Sequence, residues 1–68
     1  MDEMTDRRPL AEPKEIADFL GTSPAQLAQY RYLGKGPRFV KVGSRVRYRW
    51  ADVEAWVEQN TRLSTGAA

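Results

Sequence analysis

The sequence predicts a mainly α-helical fold with one small β-hairpin, in the order helix, turn, helix, hairpin, helix. Three observations predict it. Two short stretches, around Ile16 and around Leu27, carry apolar residues at helical spacing and are separated by Gly21 and a Ser-Pro start signal. After Gly34-Lys35-Gly36-Pro37 the apolar period falls from about 3.6 to about 2, with one break at Gly43-Ser44. A second helical stripe, Val53, Trp56 and Val57, follows the alternating segment.

Residues 1–9 are polar and charged without an apolar period and read as a disordered arm. The first helix starts at Pro13, which suits the opening turn. It turns Ile16, Phe19 and Leu20 inward and stops at Gly21. Ser23-Pro24-Ala25-Gln26 combines a Ser N-cap, Pro in the first turn and Gln three residues on, a capping box that opens a second helix from Pro24 to about Leu33. Two glycines and a proline make Gly34–Pro37 a rigid loop. Phe39–Val42 and Arg45–Arg49 are the strands, joined by a Gly-first pair that fits a type II′ turn. Val46 and Tyr48 share one strand face, which puts Arg45, Arg47 and Arg49 outward together. The last helix is expected from about Ala51 to Asn60, with Trp56 in the core and Trp50 partly exposed. Residues 10–60 form a single domain and residues 61–68 a flexible tail, because a 68-residue chain buries only about 60 % of its unfolded surface and supports one core.

Histidine and cysteine are both absent. Their absence excludes disulfides, thiol chemistry, the common zinc sites and every catalytic triad containing His or Cys. Glu15 and Asp18 share one helix face and Glu54 and Glu58 another, each reading as the solvated side opposite an apolar stripe. No enzyme is expected, and no catalytic, metal or cofactor residues. The longest apolar run is three residues and the N-terminus is acidic, so neither a membrane span nor a signal peptide is expected, and the location inferred is the cytoplasm.

The net charge of +2 conceals a segregation. Arg31, Lys35, Arg38, Lys41, Arg45, Arg47 and Arg49 lie in one stretch without an acidic residue, while the rest of the chain holds four basic side chains against nine acids. A cationic stretch interleaved with Tyr32, Phe39, Tyr48 and Trp50 suits a polyanion, since each neutralised phosphate releases counterions. The alternative is a solvated strand pair with its charges outward.

Helix, Gly-containing turn and helix make a helix-turn-helix, with Ala17 small enough for a close crossing, and the hairpin that follows makes it a winged helix-turn-helix. Three blocks carry a closer likeness: Ile16-Ala17-Asp18-Phe19-Leu20-Gly21-Thr22-Ser23, then Gly34 through Gly43, then Arg45-Val46-Arg47-Tyr48 running into Asp52-Val53-Glu54-Ala55-Trp56-Val57. In these, Leu10 to Val57 resembles the excisionase-type DNA-binding domain, related to the winged domain of the MerR regulators. Two caps depart from that pattern. Ala51 stands where the family places Ser before the last helix, and Glu12 where it places Thr before the first, which leaves both helix starts without their usual side-chain cap.

With Leu27 and Tyr30 inward, the outer sector of the second helix holds Ala25, Ala28, Gln29 and Tyr32, and the alanines allow close approach to a groove. Gln29 suits bidentate contact with an adenine edge, and Tyr32 a phosphate or a thymine methyl. Gln26, on the flank, serves either the capping box or a base. Arg31 holds phosphate or braces the wing, and Ser23 begins the recognition helix. In the wing, Lys41, Arg45 and Arg47 point outward with Ser44 near the tip, suited to the minor groove. Phe39 falls on the opposite face and is expected to close the far side of the core.

The resemblance implies a recombination directionality factor: copies bind neighbouring sites on double-stranded DNA, bend it, and let a phage or mobile-element integrase excise in the bacterial host. A small winged transcription regulator is the alternative. MerR-type activators add a coiled coil and an effector site, and nothing of that kind is expected in the few residues after Trp56. A third reading is a protein-interaction module that antagonises a repressor through the acidic first and last helices.

Overall fold

A computed structural model describes residues 8–62. They form α1 (Pro13–Leu20), α2 (Pro24–Leu33), β1 (Val40–Val42), β2 (Arg45–Arg47) and α3 (Trp50–Gln59), the order of a winged helix-turn-helix with the hairpin as wing. Residues 1–7 and 63–68, most of the expected arm and tail, lie outside the described residues.

Local chemistry sets the helix ends. Pro13 opens α1, where its missing N–H has no partner to lose. The Glu15 carboxylate accepts from the Glu12 N–H at 2.8 Å, so the start of α1, expected to be short of a cap, is closed by the acid three residues on. Gly21 takes φ 74° and ends the helix, with the Thr22 N–H on the Ala17 carbonyl at 2.8 Å. Ser23 Oγ accepts from the Gln26 N–H at 3.1 Å and starts α2 as expected. Gly34, again at φ 74°, closes it.

β1 and β2 pair antiparallel, Val40 with Arg47, Lys41 with Val46 and Val42 with Arg45. Gly43 has φ 65°, and no non-glycine residue among those described has positive φ, as a Gly-first II′ turn requires. The strands are shorter than their alternating pattern, because Phe39, Tyr48 and Arg49 lie outside the ladder. Tyr48 instead exchanges both backbone hydrogen bonds with Ala11, at 2.8 and 2.9 Å, tying the chain before α1 to the wing. A one-residue bridge has no period, so the sequence offers no sign of it.

α3 begins one residue earlier than expected, and its N-cap is Arg49, not Ala51. The chain turns directly after the Tyr48 bridge, and the Arg49 carbonyl receives the N–H groups of Asp52 and Val53 at 3.0 and 3.1 Å. No side chain caps this helix, as expected, though Asp52 in its first turn complements the dipole.

Ala11, Ile16, Ala17, Leu27, Tyr48 and Val53 form the buried core, with Leu20, Tyr30, Val46 and Trp50 packed against it. Burying Ala17 where α1 meets α2 confirms the need for a small side chain there. Two expected core residues lie elsewhere. Phe19 is 53 % exposed and meets Trp50 edge-on at 5.4 Å, and Trp56 is half-buried beside Tyr30 at 6.1 Å. Val53 is sealed whereas Val57, one turn later on the same side, is exposed: α3 runs past the edge of a core this small.

Candidate nucleic-acid interface

The α2 surface is polarised by its two inward residues. Leu27 is fully buried and Tyr30 half-buried, while Ala25, Gln26, Ala28, Gln29 and Tyr32 are exposed. Tyr32 is the extreme case at 85 % exposure. Ser23 is also exposed, its hydroxyl occupied by the backbone N–H of Gln26 in the cap, a bond that does not use the Gln26 side chain.

On the hairpin, Lys41, Ser44 and Arg45 are exposed, but the three arginines expected to point outward together do not. Arg47 is half-buried and donates to the Val46 carbonyl at 2.8 Å. Arg49 has left the strand for the start of α3 and pairs with Asp52 at 3.7 Å. The cause is the short ladder: alternation stops at Arg47, so the next arginine follows the helix.

Between α2 and the wing stands Arg31. Its Nη1 donates to Tyr48 Oη at 2.7 Å, and its guanidinium lies 5.7 Å from the centre of the Phe39 ring. Phe39 in turn packs on Tyr48 at 6.4 Å and stays 41 % exposed, so it shields this junction and does not close the core. Of the two roles expected for Arg31, bracing the wing is the one its contacts display. Alternation placed Tyr48 inward, but no pattern in the sequence assigns a partner to its hydroxyl.

The ion pairs at the described residues leave the basic segment largely uncompensated. Arg8, in the stretch read as an arm, binds Glu54 at 3.1 Å and lies over Trp50; Lys14 pairs with Asp18 at 3.4 Å; Arg49 takes Asp52. The side chains of Lys35, Arg38, Lys41 and Arg45 have no hydrogen bond or ion pair with any described residue. Exposed polar side chains on one helix thus share the molecule with free cations on the adjoining loop and hairpin. In nucleic-acid-binding proteins, polar side chains on such a helix read base edges and such cations hold phosphates. Among the described residues no three His, Cys, Asp or Glu side chains gather as a metal site would need, and no helix is long and apolar enough to cross a membrane.

Comparison with known proteins agrees with this geometry. A family described as "Helix-turn-helix domain" matches residues 12–61, from the cap of α1 to just beyond α3. No curated protein and no solved structure gives a significant match.

Proposed function

The chain belongs to the helix-turn-helix domain family, and on that premise we propose that it is a sequence-specific, DNA-bending accessory protein acting as an excisionase with a phage or mobile-element integrase. The observation that carries the DNA-binding half is the adjacency of an exposed polar α2 surface to four cations without acidic partners. α2 enters the major groove, where Ala25 and Ala28 permit close approach and Gln29 reads an adenine edge. The wing lies along the neighbouring minor groove with Arg45 and Lys41 at the backbone. Ser23, Gln26 and Tyr32 flank the helix contact, and Ser44 and Arg47 the wing contact.

The excisionase half is supported by the likeness of the three sequence blocks. One such module buries only about 600–1,000 Å² on DNA, so specificity has to be shared among copies on adjacent sites, and their bends sum. The test is titration onto a junction attachment-site fragment. The expected result is a ladder of shifted species with bent-DNA mobility, with integrase-catalysed excision stimulated and integration inhibited. Unchanged excision together with tight binding to a promoter fragment replaces this reading with that of a transcription regulator.

A further inference from the structure

A groove of about 360 Å³ runs between the end of α2 and the base of the wing, lined by Arg31, Lys35, Gly36, Arg38 and Phe39 among others. Among the described residues no carboxylate lines it. Asp52 lines a neighbouring pocket that shares Gly36, Pro37 and Arg38 with this groove, and it pairs with Arg49 at 3.7 Å. Three cationic residues lining one groove with no described acid among them make a net positive site, which an anion neutralises.

The groove is also held in shape. Gly36 sits at φ 81°, so close to α2 that an added Cβ would stand 2.9 Å from Tyr30 Cβ, and Pro37 behind it is buried. Arg31 is fixed on one edge by Tyr48 Oη and on one face by Phe39. A guanidinium carries five N–H donors in a rigid plane, so anchoring one edge leaves the others pre-aligned and little entropy to lose on binding. The side chains of Lys35 and Arg38 have no hydrogen-bond or ion-pair partner among the described residues.

We propose that this groove seats one phosphodiester of the DNA backbone, with Lys35 and Arg38 as contacts and Arg31, aligned by Tyr48, as the third donor. The inference rests on the DNA-binding reading and adds a contact between the two surfaces, helix and wing, to which that reading assigns recognition. Such a seat fixes the register of α2 and wing on the duplex without reading sequence.

The experiment uses a duplex selected by the wild-type protein from random DNA, carrying single neutral methylphosphonate linkages scanned along each strand. At one linkage per bound copy, neutralisation is expected to weaken wild type roughly tenfold and to leave the Lys35→Ala/Arg38→Ala variant unaffected, as a double-mutant cycle requires of direct partners. Tyr48→Phe, which keeps the buried ring and removes the hydroxyl, shows a reduced penalty at that same linkage, and thermal unfolding verifies that each variant is folded. Equal losses for wild type and the double variant at every linkage overturn the seat while leaving DNA binding intact. Inorganic phosphate that shifts the Lys35 and Gly36 amide resonances without any differential linkage identifies a free-anion site and overturns the backbone assignment too. If wild type enriches no duplex from the random pool, the DNA-binding reading fails, and the seat with it.

Discussion

Arg31 and Tyr48, 17 positions apart, join the second helix to the wing through a 2.7 Å hydrogen bond from guanidinium to phenol. The same tyrosine is fully buried and pairs its backbone with Ala11, so one residue meets the core, the segment before α1 and α2. Tyr48→Phe is expected to cost about 1–2 kcal/mol in urea unfolding, a charged hydrogen bond discounted because Arg31 is only half-buried and water replaces part of it. Combining it with Arg31→Gln should cost less than the two single changes added together. Strict additivity would show that the two residues do not communicate.

Gln29→Ala should lower affinity for a selected site by about 1–3 kcal/mol and barely change binding to random DNA, because a base contact is lost while phosphate contacts stay. Gln29 is exposed and its removal leaves the core untouched, so thermal stability should hold. Equal losses on both kinds of DNA contradict the outward orientation assigned to this side chain.

Binding should weaken steeply with salt. About five phosphate contacts from the basic segment give a slope of log affinity against log salt of roughly −4 to −5. Arg45→Ala should reduce the slope by about one and weaken all sequences alike, since the Arg45 side chain has no protein partner to lose among the described residues. A flat salt response is incompatible with the proposed function.

Leu27→Ala removes a fully buried side chain shared by both helices and should cost about 2–5 kcal/mol, comparable with the whole stability of so small a domain. Circular dichroism at 37 °C should show most of the helical signal gone. Near-native helicity would mean that stability does not rest on the six-residue buried hydrophobic cluster.

Two glycines at positive φ separate backbone strain from steric contact. Gly36→Ala meets Tyr30 Cβ at 2.9 Å as well as the left-handed backbone, whereas Gly43→Ala, with open space around it, carries about 1–2 kcal/mol of backbone strain alone. Gly36→Ala should therefore be the more destabilising in denaturant melts. The reverse order would show that the loop is not packed against α2.

Legibility in the sequence followed the range of the interactions. Helix starts and stops depend on residues three or four apart, and Pro13, Gly21, Ser23 and Gly34 fall where local chemistry placed them. The turn at Gly43-Ser44 is equally local and equally legible. Misplacements began where an element met the limit of the core. Phe19 and Trp56 have helical spacing suited to burial, yet spacing gives direction and not distance, and the core ends before it reaches them. Arg49 continued an alternating pattern that the Ala11–Tyr48 bridge cut short.

By itself the sequence determined the order of elements, the residues that close each helix, and the segregation of seven basic side chains into one uninterrupted stretch. These are properties of neighbours along the chain, fixed by backbone sterics and by covalent order. Only the tertiary structure decided which of those cations stay free. The Arg31 side chain is taken by Tyr48 across the fold, and the Arg49 and Arg47 side chains by the neighbouring Asp52 and Val46 carbonyl where the strand ends, while the side chains of Lys35, Arg38, Lys41 and Arg45 are left without partners among the described residues. A hydrogen bond between residues 17 positions apart depends on how α2 packs beside the wing, and that packing is set by the whole buried core, which no local pattern encodes.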